Sequence, residues 1–215
     1  MNDTLETLEE LYAAVVADVL DELGYREQTL SSDISALTSS NKICGRVFTG
    51  EAETVKEIPP EPYKLEMQAI DEMNAGDVFV LDGKHHSQCS FWGELLSTAC
   101  IAKGVRGVVM SACTRDAWKL KKMDFPVFGI GYTPADSKGR IDVVSIREPI
   151  EVDGVSIRTG DYLIGDEDGV VIIPQDALGE TLRLAKEKVS GENLVRDQLA
   201  AGVPVAEVFE KFGIL

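Results

Sequence analysis

Apolar residues recur every three or four positions through the first segment: Leu5, Leu8, Leu11, Val15, Val16, Val19 and Leu20. That spacing predicts one amphipathic helix over 4–23, opened by Asp3 or Thr4 as cap and closed by Gly24. The stretch 25–45 is richer in Ser, Thr and Asn and reads as loops around Ile34 and Leu37. Val47 to Val55 alternates as a strand does, Pro59-Pro60 interrupts the chain, and 62–73 returns to helical spacing. Asp77 to Leu81 is a short apolar strand leaving through Asp82-Gly83, a turn dipeptide. A helix over 93–103 stops at Gly104, and the β-rich run Val105 to Met110 follows. A short helix over 116–122 and strands over 126–130 and 141–145 come next. Two further strands, Tyr162 to Ile164 and Val170 to Ile173, flank Gly165-Asp-Glu-Asp-Gly169, and Pro174 ends the second. The tail, 176–212, is helical with breaks at Gly191 and Gly202. No linker or low-complexity stretch divides this order. It predicts one α/β domain over 1–215 with helices at both ends.

Charge narrows the partners. The chain carries 21 Lys and Arg against 37 Asp and Glu, a net charge of −16. Such a surface repels phosphate backbones and anionic lipid heads, which excludes direct nucleic-acid binding as an expectation. An anionic small molecule needs a local positive site. The acidic amino terminus lacks a signal-peptide pattern, and no apolar run approaches the roughly 18–20 residues of a membrane span. Cys44, Cys89, Cys100 and Cys113 form no metal or disulfide framework and read as buried or partly buried thiols of a cytoplasmic protein.

Candidate chemistry concentrates at 93–116. The strand after the 93–103 helix delivers Thr114-Arg115-Asp116 at its carboxyl end, where open α/β sheets commonly bind ligands. Arg115 offers a planar fork suited to a carboxylate and a neighbouring carbonyl. Asp116 offers hard oxygen ligands for Mg²⁺ or Mn²⁺, and Glu94 could hold a water beside them. Gly93 permits a close backbone turn, so the N–H groups of Leu95 and Leu96 would face a carboxylate. The same residues fit plainer roles, Asp116 as a helix cap and Glu94 as a dipole-favoured surface residue.

The run GELLSTACIAKGVRGVVMSACTRDAWKL, followed by FPVFGIGYTP, resembles the core signature of the RraA-like family. That family includes the 4-hydroxy-4-methyl-2-oxoglutarate and 4-carboxy-4-hydroxy-2-oxoadipate aldolases and the regulators of ribonuclease E activity. Its aldolases place an acidic residue twenty intervening positions before Arg-Asp, and Glu94 stands in that relation to Arg115 and Asp116. VADVLDELG, ICGRVFTGEAETV, GDYLIGDEDGVVIIP and KVSGENLVRDQLAAG resemble other family segments, so the likeness spans nearly the whole chain.

The resemblance implies a compact β/β/α, swivelling-domain-like fold assembled as a homotrimer or homohexamer. It implies Asp116 as ligand to Mg²⁺ or Mn²⁺ and Arg115 on the substrate's carbonyl and carboxylate. Glu94 would hold a metal-bound water, with the Leu95 and Leu96 amides on the carboxylate. Glu192 would be an acidic contribution from a neighbouring subunit. The implied activity is class II type cleavage of a small 2-oxo acid to a pyruvate enolate, extending to oxaloacetate decarboxylation. The alternative is a non-catalytic regulator that binds a protein partner such as a ribonuclease. Ser111-Ala112-Cys113-Thr114 and Lys119 depart from the family pattern, as does the insertion-like 84–88 with His85 and His86, read as a solvated loop. Lys84, Lys103 and Lys119 read as solvated rather than as Schiff-base lysines. A methyltransferase reading lacks a Gly-rich nucleotide loop.

Overall fold

The computed structural model describes residues 2–213. The amino-terminal helix is two helices, α1 (Asn2–Glu10) and α2 (Ala13–Glu22). At the break Leu11 N–H bonds back to Leu8 at 3.2 Å and Tyr12 is extended. The carboxylate of Asp166, far along the chain, accepts the Ala13 N–H at 2.7 Å and starts the second helix. Periodicity misses the break because Leu8 before it, Leu11 within it and Val15 after it are all buried.

After the bridge strand β1 (Ser35–Ala36) comes β2 (Ile43–Thr54), which begins inside the segment read as loops. The next elements alternate: α3 (Lys64–Glu72), β3 (Asp77–Trp92), α4 (Glu94–Lys103) and β4 (Gly107–Thr114). Strands β2, β3 and β4 pair in parallel, with α3 and α4 as the crossovers. Then follow α5 (Ala117–Leu120), β5 (Val127–Gly129), β6 (Gly131–Tyr132) and β7 (Ile141–Ile146). Strands β8 (Ile150–Val152) and β9 (Val155–Ile157) form a separate hairpin. The hairpin β10 (Tyr162–Asp166) and β11 (Gly169–Ile173) joins the main sheet antiparallel to β2. Because β7 takes the far half of β2, the sheet curls almost closed. Helices α6 (Leu178–Ala200) and α7 (Val205–Phe212) end the described chain.

Two expectations are corrected. Asp82-Gly83 is no turn: β3 runs through it and through 84–88 to Trp92. Gly83 is required for close approach, since a Cβ there would lie 2.7 Å from the Ala112 Cβ and 3.0 Å from the Ser111 carbonyl. The strand bends just beyond, where Lys84 and His85 take positive φ values of 52° and 51°. Gly191 breaks nothing either, because α6 packs on α2 through Ala185 and Val189, against a glycine cost of about 1 kcal/mol.

All four cysteines are buried and unpaired. Among the described residues no helix is long and apolar enough to cross a membrane. The predicted α/β class with helices at both ends is the observed one.

Candidate active site at the carboxyl end of the parallel strands

The ends of β3 and β4 are fastened to each other. Trp92 carbonyl accepts the Arg115 N–H at 3.0 Å and the Thr114 hydroxyl at 2.9 Å. Trp92 itself is 1% exposed, stacks at 6.4 Å on Phe125 and donates its indole N–H to Ser97 at 2.8 Å. Burying such a side chain contributes about 1.5–3 kcal/mol, so the floor under the site is stiff. On it Gly93 and Arg115 come side by side.

Gly93 is needed here for space, not for its dihedrals, which are extended. A Cβ at that position would stand 2.8 Å from Asp116 Oδ2 and 3.4 Å from Arg115 Cγ. Asp116 occupies the left-handed region at φ 58°, which a short polar side chain tolerates better than most. It sits at the N-cap of α5, yet its side chain caps nothing there. Oδ2 instead accepts the Glu94 N–H at 3.2 Å across the gap to α4. With that amide occupied, Leu95 and Leu96 hold the next N–H groups of the first turn, and both residues line the cleft.

The cleft encloses about 260 Å³ between α3, α4 and the ends of β3 and β4. Arg115 lines it and reaches Asp136 Oδ1 at 3.4 Å. Asp136 in turn accepts the Tyr63 hydroxyl at 2.6 Å, and burial with that bond pushes the Tyr63 phenol up to about 12. Glu66 lines the same cleft at 3% exposure. Burial, then the carboxylates of Asp142 and Asp136, push it up to about 8 against the pull of Arg115. Arg115 is the sole cation, and no lysine stands, among the described residues that line the cleft.

Gly93, Leu95, Leu96, Arg115 and Asp116 therefore converge. Glu94 stands at their edge: its backbone joins Asp116, while its carboxylate pairs with Lys119 at 3.1 Å outside the lining. Glu192 is elsewhere in its own chain, on α6, accepting the Tyr12 hydroxyl. His85 and His86 lie on the bent part of β3 rather than on a loop. His85 contacts Asp153 at 2.5 Å, and His86 Nδ1 is 3.3 Å from Cys89 Sγ. Lys84 joins Asp82 and Glu51, and Lys103 joins the Asp71 carbonyl.

Sequence reading missed Tyr63, Glu66 and Asp136. One signal was present for Glu66: it is spaced 3, 4 and 7 positions before Ala69, Ile70 and Met73, all buried, so a carboxyl group occupies the apolar face of α3. No comparable signal marks Asp136.

Parallel strands with helical crossovers, and a cleft at their carboxyl ends that carries Arg115 and Asp116, define an α/β architecture of the kind that commonly binds ligands there. The RraA-like family model, described as Aldolase/RraA, matches residues 13–172, and the chain belongs to that family. DlpA of Legionella pneumophila is 26% identical over 216 residues, 99% of this chain, although the chain spans only 34% of DlpA. A 4-hydroxy-4-methyl-2-oxoglutarate aldolase of Thermus thermophilus is 29% identical over 136 residues, 61% of this chain and 79% of that protein. The crystal structure of Streptomyces coelicolor RraAS2, an unusual member of the RNase ES inhibitor RraA protein family, matches with a TM-score of 0.84 at 25% identity. The match covers 92% of this chain and 98% of that one.

Proposed function

We propose that the protein is a divalent-metal-dependent carbon–carbon lyase that cleaves a small 2-oxo acid to pyruvate, of the 4-hydroxy-4-methyl-2-oxoglutarate aldolase type. The observation that carries this reading is the meeting of Arg115, Asp116 and the first turn of α4 in one cleft. The name of the Thermus relative supports it.

The donor set fits Mg²⁺ or Mn²⁺. Asp116 keeps one carboxylate oxygen without a protein hydrogen bond, and no group of three His, Cys, Asp or Glu gathers to hold a metal among the described residues. One carboxylate with retained waters suits a hard cation and does not suit zinc. Bound there, the cation would supply Lewis acidity to the 2-oxo group.

The chain's own groups account for the rest. Arg115 and the Leu95 and Leu96 amides bind the substrate carboxylate, and the guanidinium also faces the 2-oxo oxygen, where negative charge develops. In retro-aldol cleavage the C4 hydroxyl gives up its proton to a water held by Glu94. The C3–C4 electron pair moves toward C2 and O2, leaving the enolate of pyruvate and a carbonyl product. Protonation of C3 completes pyruvate. Oxaloacetate would lose CO₂ to the same enolate without a base. No lysine lines the cleft among the described residues, which speaks against Schiff-base chemistry.

The test is a screen of 2-oxo acids for pyruvate release with Mg²⁺ and with EDTA. Pyruvate formed only with the metal supports the lyase. No pyruvate from any of them would favour the second reading, a non-catalytic regulator with a protein partner, which the likeness to RraAS2 keeps open.

A further inference from the structure

Arg115 carries the proposed head-group chemistry, yet little holds its side chain in place. The guanidinium is 41% exposed at the end of a long flexible stem, and among the described residues its one ion pair is with Asp136, Nη1 to Oδ1 at 3.4 Å. The backbone beneath it is fixed by the Trp92 carbonyl, but that anchor does not reach the fork. Asp136 takes no part in the cleavage itself.

Asp136 is held from three directions. Its Oδ2 accepts the Tyr63 hydroxyl at 2.6 Å, from the residue that opens α3. The preceding carbonyl, that of Ala135, accepts both the N–H and the hydroxyl of buried Ser90 on β3, each at 2.8 Å. The following residue, Ser137, is buried, and its carbonyl accepts the Arg140 and Ile141 N–H groups at 2.8 and 3.0 Å where β7 begins. The carboxylate therefore has a fixed place beside the end of β3. Both its oxygens are engaged, Oδ1 by Arg115 and Oδ2 by Tyr63, so the cation of the proposed reading falls to Asp116.

That cation makes such an anchor necessary. A divalent ion on Asp116 stands one residue from a permanently charged guanidinium, and the two repel. A free arginine would turn its head toward solvent, away from the 2-oxo acid. Asp136 offsets the repulsion and engages one nitrogen of the fork, and the other N–H groups stay available to the substrate carboxylate and the 2-oxo oxygen. With the ion counted, it and Arg115 outweigh Asp116 and Asp136, so the cleft remains net positive for a monocarboxylate or a dicarboxylate.

We infer that Asp136, braced by Tyr63, is the positioning residue for Arg115: it aims the guanidinium at the 2-oxo acid and holds it beside the metal. The inference rests on the 2-oxo acid reading of Arg115 and adds the residues that make that arginine effective.

The experiment is calorimetric titration of the full chain with oxamate in the presence of Mg²⁺. Oxamate has a carboxylate and a neighbouring carbonyl but no carbon that can form an enolate. Four proteins make a cycle: wild type, Asp136→Asn, Arg115→Ala and the double variant. Asp136→Asn keeps the shape, removes the charge and should weaken oxamate roughly tenfold. On the Arg115→Ala background the same change should alter the affinity less than about twofold, because no guanidinium is left to aim. Equal losses on both backgrounds, the mark of a structural role, overturn the proposal, and so does wild-type affinity in Asp136→Asn. Mg²⁺ should still bind Asp136→Asn, and loss of the ion there overturns the proposal by placing Asp136 on the metal. Wild-type affinity in Arg115→Ala, or no oxamate binding by any of the four, brings down the head-group reading and the positioning role with it. Should Asp136→Asn not fold, Tyr63→Phe serves: it should weaken oxamate about threefold with Arg115 present and not at all without it. An unchanged affinity in Tyr63→Phe, or the same loss on both backgrounds, then overturns the proposal.

Discussion

The carboxylate of Glu94 and the ammonium of Lys119 stand 3.1 Å apart. The pair joins the first turn of α4 to α5, the two elements that flank Arg115 and Asp116. Both side chains are partly exposed, so the link contributes no more than about 1 kcal/mol to stability. Its value is positional, since it fixes the carboxylate that the proposed water depends on. Lys119→Ala should therefore leave the melting temperature nearly unchanged and lower kcat severalfold, with Lys119→Arg restoring it. Glu94→Gln should cost about 10²-fold in kcat, the usual worth of a positioned proton acceptor. Pyruvate-release kinetics would check both, and a Glu94→Gln rate within threefold of wild type removes Glu94 from the mechanism.

Gly93 tests the geometry most directly. A methyl group there would meet Asp116 Oδ2 at 2.8 Å, closer than contact permits. Overpacking of this kind costs about 1–3 kcal/mol, less than a folded domain's total stability. Gly93→Ala should thus give a folded protein with the Asp116 carboxylate displaced, its activity down at least a hundredfold. Circular dichroism with turnover would show the split. Wild-type activity in the variant would mean that Asp116 has no fixed position to lose.

Arg115 and Asp116 separate by their readouts. Arg115→Lys keeps the charge but loses the planar fork, and should lower kcat/KM by about a hundredfold. Asp116→Asn is preferable to alanine because asparagine tolerates the left-handed backbone seen at φ 58°. It should abolish Mg²⁺ binding in a calorimetric titration as well as turnover. In the wild type, EDTA should stop the reaction and Mn²⁺ or Mg²⁺ restore it. Full rate in EDTA, with inactivation by borohydride plus substrate, would establish an imine enzyme.

Much of this site was legible because its parts are near in sequence. Residues 93–96 and 114–116 lie on either side of one helix–strand unit, so a helix stop at Gly104 and a β-rich run suffice to bring them to one end of a sheet. The parallel order of β2, β3 and β4 follows from the same alternation. The opposite wall was not legible. The place of Glu66 on the apolar face of α3 is its one local sign; Tyr63, Glu66 and Asp136 meet because α3 and the chain beyond β6 both border the cleft, a long-range fact that no window of sequence contains. The bend of β3 failed similarly: Asp82-Gly83 looks like a turn, and only the approach of Ala112 explains the glycine. The split between α1 and α2 depends on Asp166, which no window of sequence around Tyr12 contains.

Glu66 also makes a stability prediction with a definite sign. Its carboxyl group titrates near its ordinary value of 4.5 when the chain is unfolded and at about 8 when folded. Between these limits the folded state holds the extra proton, so stability falls as pH rises from 4.5 to 8 and levels off above. Glu66→Gln removes that loss. The variant should be more stable than wild type at pH 8, by on the order of a few kcal/mol, and the gain should shrink toward pH 5. Urea unfolding at the two pH values measures it. A gain equal at both would mean that burial of the ionised form is not what the wild type resists.

Glu192 accepts the Tyr12 hydroxyl inside its own chain, and burial with that bond pushes the phenol up to about 12. Tyr12 and Glu192 tie α6 to the break between α1 and α2, so the contact holds a carboxylate at a fixed place on the helical surface. If the protein is a homotrimer or homohexamer with shared sites, that surface is what a neighbour's cleft would meet. Asp116→Asn chains and Glu192→Ala chains should each be inactive alone. Mixed after dissociation and reassembly, about a quarter of the interfaces in a cyclic oligomer would pair an intact Asp116 with an intact Glu192. Activity should return to roughly that fraction, while Tyr12→Phe should weaken it only modestly, since the hydroxyl orients Glu192 and does not reach substrate. A site confined to one chain gives no rescue, because every chain carries a lesion. A fully active monomer in sedimentation analysis would end the shared-site model outright.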